Sequence, residues 1–67
     1  MKIELNNRIV EFQEESMTIE QLLKAKKFTY QKIIVKVNDL IIEPEDFSKT
    51  IIKNEDKVIV LHLLAGG

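Results

Sequence analysis

Gly66 and Gly67 are the only glycines in the sequence. They stand just beyond its most apolar stretch, Val58 to Leu64, in which His62 is the one polar residue. Chemistry at such a terminus is that of the carboxylate. A carboxylate is a poor electrophile until one of its oxygens is converted into a mixed anhydride. Glycine suits that conversion twice over: its backbone threads a narrow channel in extended form, and its missing Cβ lets an activating nucleotide approach the carboxyl carbon. The competing expectation is a frayed end with no task.

The other side chains with chemical potential do not assemble into a site on paper. His62 is the only histidine and there is no cysteine, so neither a metal centre nor thiol chemistry has its ligands. Ser16 and Ser48 would need the fold to hold one of them against His62, and no motif does this. Glu14, Glu15, Glu43, Glu45 and Asp46 read as solvated surface, and no glycine-rich loop is present to cradle a phosphate. Lys24, Lys26, Lys27 and Lys32 interleave with Phe28 and Tyr30, a pattern that can hold phosphates and stack bases. The end of a helix explains the same lysines more simply, because they oppose the negative end of its dipole. The expectation is a chain that is not itself an enzyme and binds no metal or cofactor.

The composition narrows the setting. A chain of 67 residues makes one small domain, and it buries only roughly 60% of its unfolded surface. With no disulfide available, a 45% hydrophobic fraction must supply the core. A net charge of −1 gives no support for a general nucleic-acid or membrane partner. The opening residues Met1 to Leu5 lack the apolar core of a signal peptide, and no run reaches the length of a membrane span. A cytoplasmic location is expected.

The elements that must position the tail follow from periodicity and turn chemistry. Met1 to Leu5 alternates apolar and charged residues, as a half-buried strand does, and Asn6-Asn7 suits a two-residue hairpin loop. Arg8 to Phe12 returns as the second strand, with Leu5 opposite Arg8, Ile3 opposite Val10 and Met1 opposite Phe12. Thr18-Ile-Glu-Gln21 is a capping box, and the helix it opens runs from Ile19 to about Lys27 with Ile19, Leu22 and Leu23 inward. Ile33 to Asn38 and Leu40 to Glu43 form a second hairpin about Asn38-Asp39, with Val35, Val37, Leu40 and Ile42 on one face. Pro44 suits the first position of a helical turn, and Phe47 and Ile51 are expected to pin the segment that follows. Asn54 to Lys57 is a polar turn into the last strand. One helix on one face of a mixed sheet of about five strands is an α+β architecture.

With these elements in place, the chain resembles the ubiquitin-like β-grasp sulfur carriers, most closely the ThiS family of thiamin biosynthesis. The resemblance rests on Met1-Lys-Ile-Glu-Leu-Asn-Asn7, the Thr18-Ile-Glu-Gln-Leu-Leu23 helix opening, Val37-Asn38 before a tight turn, the Asn54-Glu-Asp-Lys57 turn, and Leu64-Ala-Gly-Gly67. It implies a single β-grasp domain over 1–67 with a flexible tail at 65–67. It further implies that Gly67 is adenylated by a ThiF-like enzyme using ATP and then converted to a thiocarboxylate. Gly66 and Ala65 would thread the partner's channel. A sulfur donor such as a cysteine desulfurase and a ThiG-like thiazole synthase complete the expected partners. This sequence departs from the family where glycine is frequent: Asn54-Glu55 precedes the last strand, and Asp39 follows Asn38. The alternatives are a carrier serving molybdopterin or another metabolite, a ubiquitin-like modifier of target lysines, and a binding module without covalent chemistry. The prolines that usually precede the terminal glycines of the molybdopterin carriers are missing here.

The phase of the last strand has two readings. Patterning alone turns His62 outward with Val58 and Val60, leaving Ile59, Leu61 and Leu63 for the core. The resemblance implies the opposite phase, with Ile59, Leu61 and Leu63 as a docking patch for the activating partner and His62 at the rim of the drier face. The second phase is the one expected here.

Overall fold

A computed structural model of the chain describes residues 1–28 and 32–63. Strand β1, Lys2–Leu5, buries Ile3 and Leu5 and turns at Asn6-Asn7 into β2, Arg8–Glu11. Asn6 and Asn7 take φ of 51° and 68°, the left-handed pair that matches a two-residue loop to the twist of its strands. The register is the expected one: Leu5 faces Arg8, Ile3 faces Val10 and Lys2 faces Glu11. Met1 and Phe12 extend the ladder by exchanging both backbone hydrogen bonds, at 2.7 and 2.8 Å.

Strand β3, Ser16–Thr18, leads directly into helix α1, Ile19–Ala25. The capping box is complete. Thr18 Oγ1 accepts from the Gln21 amide at 3.0 Å, and Gln21 Oε1 accepts from the Thr18 amide at 2.8 Å. The helix stops earlier than periodicity indicates, because its last turn closes as a Schellman motif. The Phe28 amide donates to the Leu23 carbonyl at 2.8 Å and the Lys27 amide to the Lys24 carbonyl at 3.1 Å. Lys27 takes φ of 59° at the position glycine usually fills. The lysine-rich end is thus a helix terminus, with Phe28 folded back against the core. Tyr30 lies outside the described residues.

Strand β4, Ile33–Val37, turns at Asn38-Asp39, φ 50° and 72°, into β5, Leu40–Ile42. A 3-10 turn at Pro44–Asp46 follows, then β6, Ile51–Lys53, and β7, Lys57–His62. Five strands form one sheet in the order β2-β1-β7-β4-β5. The central pair β1 and β7 is parallel and the other pairs are antiparallel. Ile19, Leu22 and Leu23 of α1 share one buried cluster with Ile3, Leu5, Val35, Val37, Val58 and Val60 of the sheet. The helix therefore covers one face of a mixed five-stranded sheet, the α+β architecture of the ubiquitin-like β-grasp.

Two further expectations are corrected. Residues 16–18 and 51–53 form a second, two-stranded sheet, β3 with β6, that the pattern did not show. In that ribbon Met17 faces Ile52 and both are buried, so Ile52 rather than Ile51 is the inward residue, and Ile51 is exposed beside Thr18. Phe47 is buried as expected. Leu40 pairs with Val37 and Ile42 with Val35, on the one face expected; Leu40 is exposed there, at the start of the edge strand directly after the turn.

The Asn54–Asp56 loop is tied on both sides. Asp56 is buried, and its carboxylate accepts from Asn38 Nδ2 at 3.1 Å and from the Lys53 amide at 3.0 Å. Asn38 Oδ1 in turn accepts from the Lys57 amide at 2.9 Å. The Glu55 amide donates to the Lys2 carbonyl, and the Lys2 amide to Asn54 Oδ1.

Candidate functional site

The site is built outward from β7. Val58 and Val60 are 0% and 3% exposed, whereas Leu61 and Leu63 are 49% and 50% exposed and Ile59 is half-buried. The strand thus takes the phase in which Ile59, Leu61 and Leu63 look away from the helix. Both neighbours settle this phase. On one side Leu5 pairs with Val58, and on the other Val35 pairs with Val60, so these inward residues lie under α1. His62 pairs with Ile33 on the helix side, at the rim, and its ring meets Phe28 edge to face with centroids 5.0 Å apart.

On the open face, Leu61 lies beside Ile34, and Ile59 beside Lys36, which is flanked in turn by Ile41. Ile34, Ile41 and Lys36 belong to this surface, and the sequence reading did not include them. Cross-strand register was the signal that would have found them, since the β4 and β5 positions facing Ile59 follow once the hairpin turn is placed. A contiguous apolar band with a lysine at its centre results.

The exit from this strand is held at two points. The Leu63 amide donates to the Lys32 carbonyl at 2.7 Å, which carries the β4–β7 ladder one residue past His62. The Val60 amide donates to Asn6 Oδ1 at 2.7 Å. Ala65, Gly66 and Gly67 lie outside the described residues.

The remaining candidates are not assembled. Ser16 sits in β3 and Ser48 follows the 3-10 turn, and neither is hydrogen-bonded to His62 among the described residues. No group of three or more histidine or acidic side chains is placed to hold a metal among the described residues. None of the described helices is long and apolar enough to cross a membrane.

The open apolar face, the single helix and the central parallel pair define a ubiquitin-like β-grasp protein. Within that class the chain belongs to the ThiS family, whose profile matches residues 2–67. Among solved structures, it is similar to the crystal structure of a thiamine biosynthesis protein (ThiS) from Geobacter metallireducens, with 29% identity and a TM-score of 0.88 over 100% of both chains. The solution structure of a thiamine biosynthesis protein from the same organism matches with 29% identity and a TM-score of 0.83, over 100% of this chain and 88% of that one. Comparison with curated proteins finds no match.

Proposed function

We propose that this chain is the sulfur carrier of thiamin biosynthesis, carrying sulfur as a thiocarboxylate on Gly67. The observation that carries this reading is the family match, which extends over residues 2–67 and so includes the two glycines. A ThiF-like enzyme adenylates Gly67: a carboxylate oxygen attacks the α-phosphorus of ATP and pyrophosphate leaves. The terminal sulfur of a partner's cysteine persulfide, loaded by a cysteine desulfurase, then displaces AMP at the acyl carbon. A second thiol of the partner attacks the inner sulfur of the resulting acyl disulfide, forming a disulfide on the partner and releasing the thiocarboxylate. The thiocarboxylate delivers its sulfur to a ThiG-like thiazole synthase. Gly66 and Ala65 thread the partner's channel, and ATP is used by the partner rather than held by the carrier.

In this scheme the catalysis belongs to the partners, and the carrier supplies a docking body. Ile59, Leu61 and Leu63 present apolar area beside the reactive end, the kind of patch from which binding energy at an interface is drawn. Intact mass tests the reading directly. Co-expression with the activating enzyme and a sulfur source replaces one terminal oxygen by sulfur. Higher-mass conjugates on lysines of other proteins would identify a modifier instead, and an unchanged mass would remove the carrier role.

A further inference from the structure

β2 is an outer strand of the five-stranded sheet, separated from β7 by β1. The exchange of backbone hydrogen bonds between Met1 and Phe12 sets the alternation along the β1–β2 ladder. Ile3 with Val10 and Leu5 with Arg8 are then the other hydrogen-bonded pairs, and Glu4 with Ile9 and Lys2 with Glu11 are not. An independent bond agrees: the Glu4 amide points the other way, to the Asp56 carbonyl at 3.0 Å. The N–H and C=O groups of Ile9 and Glu11 therefore face away from β1. As β2 is the outermost strand of its sheet, these groups have no strand partner among the described residues. They are spaced two residues apart, as an incoming strand requires.

The side chains beside this edge differ on the two faces. On the helix side, Arg8, Val10, Lys26 and Phe28 line a hollow of about 260 Å³. Phe12, Glu14, Ser16, Met17, Gln21 and Ala25 line another of about 240 Å³ further along the same strand and helix. Both fall below the roughly 300–1,000 Å³ usual for small-molecule sites, and they fit individual side chains better than a metabolite. Val10 and Phe28 supply apolar surface in the first and Phe12, Met17 and Ala25 in the second; the end beside Arg8 and Lys26 is basic, and Glu14 stands at the other end. On the open side, Glu4, Glu11 and Glu55 line the neighbouring concavity with Lys2, and Ile9 is 66% exposed there.

We propose that the β2 edge binds an extended segment of a partner protein as a sixth strand, antiparallel to β2. That segment has aliphatic residues at alternate positions facing α1, basic residues between them facing Glu4 and Glu11, and a carboxylate after the apolar run, beside Arg8 and Lys26. Backbone bonds to Ile9 and Glu11 supply affinity, and the two hollows and the charges supply selection. A second copy of this chain fits less well, since its own β2 would place another Glu11 on the side that is already acidic. A strand added at β2 leaves the β7 face open, so a partner held there can retain the carrier while its docking face is engaged elsewhere.

The probe is a blocked heptapeptide that alternates valine with lysine for five residues and ends in two aspartates. It is titrated into the uniformly 15N-labelled full chain. Saturable shifts should centre on the amides of Ile9 and Glu11, and methylation of the peptide's backbone nitrogens should abolish them. The double variant Arg8→Glu with Lys26→Glu should weaken binding by roughly tenfold. A peptide ending in two lysines should recover it on that variant. Ile9→Pro removes an outward donor without touching the β1 ladder, and it should bind more weakly while remaining folded. Shifts centred on Ile59 and Leu61, binding indifferent to peptide methylation, or no saturation by about 1 mM peptide would overturn the proposal. So would concentration-dependent dimerisation through β2 in sedimentation, which would make the occupant a second copy.

Discussion

Asn6 Oδ1 accepts a hydrogen bond from the Val60 amide at 2.7 Å, across 54 positions of the chain. The β1 ladder to β7 ends at Leu5 and Val58, so the Val60 amide emerges where the neighbouring strand has already turned away. The Asn6 side chain takes the place of the missing strand. One residue thus supplies the turn, at φ 51°, and the last lateral bond to the docking strand. Asn6→Gly keeps the turn geometry but leaves a buried donor unpaired, and it should cost about 1–3 kcal/mol. Asn7→Gly is the control and should not destabilise. Thermal melting of the pair checks the prediction, with about 4–8 °C expected per kcal/mol lost.

Seven of the described residues carry a left-handed backbone without being glycine, and Glu55 and Asp39 are the two acidic ones. Glu55 has φ of 73° and Asp39 has φ of 72°. These are the two turns where the resemblance led to an expectation of glycine (at Asp39, of glycine or another small or polar residue), and a left-handed backbone is the conformation glycine adopts most readily. A side chain costs about 1–2 kcal/mol in this conformation, partly offset by the greater entropy glycine loses on folding. Glu55→Gly should therefore stabilise by about 0.5–1 kcal/mol, read as a higher melting temperature with no change in partner binding.

Leu61 and Val60 are adjacent and face opposite ways. Leu61→Asp should leave thermal stability nearly unchanged and weaken binding to the activating enzyme. Val60→Asp places an unpaired carboxylate under α1 and should unfold the domain, because a buried charge without a partner costs several kcal/mol. Circular dichroism separates the folding effects and titration against the activating enzyme separates the binding effects. The reverse pattern would remove β7 from the proposed interface.

Asp56 is the one buried acidic residue among those described, and it holds three segments together. Its carboxylate links the β4–β5 turn through Asn38 and the end of β6 through the Lys53 amide, and Asn38 in turn accepts from the Lys57 amide at the start of β7. Its ion pair with Lys53, at 3.7 Å, is largely solvent-facing on the lysine side and contributes little. Asp56→Ala leaves both Asn38 Nδ2 and the Lys53 amide without their acceptor, and it should cost about 2–4 kcal/mol. Asp56→Asn keeps an oxygen for one of them and should cost less. Denaturant unfolding distinguishes the two.

The buried residues among those described run from Ile3 to Val60. Deleting Gly67, or adding one residue after it, should therefore leave the melting temperature unchanged. ATP–pyrophosphate exchange on the activating enzyme should be lost in both cases. Gly66→Val should fold normally and exchange poorly, since a branched side chain stiffens and widens the segment that enters the channel. Exchange retained by the extended protein would exclude Gly67 as the activated residue.

The sequence showed most clearly those elements whose signal is local. Asn6-Asn7, Asn38-Asp39 and the Thr18–Gln21 box each specify a backbone geometry by their own side chains, and all three occur. Turn placement then fixed strand register, and register put Val10 and Phe12 toward the core. The β3–β6 ribbon was not legible because each strand is three residues long and buries one side chain, too little for a period to appear. Asp56 looked like any polar turn residue, since its burial depends on Asn38 from a distant hairpin. The phase of β7 was ambiguous for the opposite reason. A run that apolar carries no alternation, and only pairing to Leu5 and Val35 decides which side faces in.

The parallel pairing of β1 with β7 also governs when this protein can exist during its own synthesis. The first strand made and the last strand made are neighbours at the middle of the sheet, so the mean separation of contacting residues is large for so short a chain. Such topologies fold slowly, because loop-closure entropy must be met before the contacts that offset it form. A nascent chain lacking residues 57–62 has the β1–β2 and β4–β5 hairpins without the strand that joins them into one sheet. A ribosome-stalled or prematurely ended product is therefore a target for proteolysis rather than a folded body with a defective tail. The body that presents Ile59 and Leu61 therefore exists only once synthesis has passed β7.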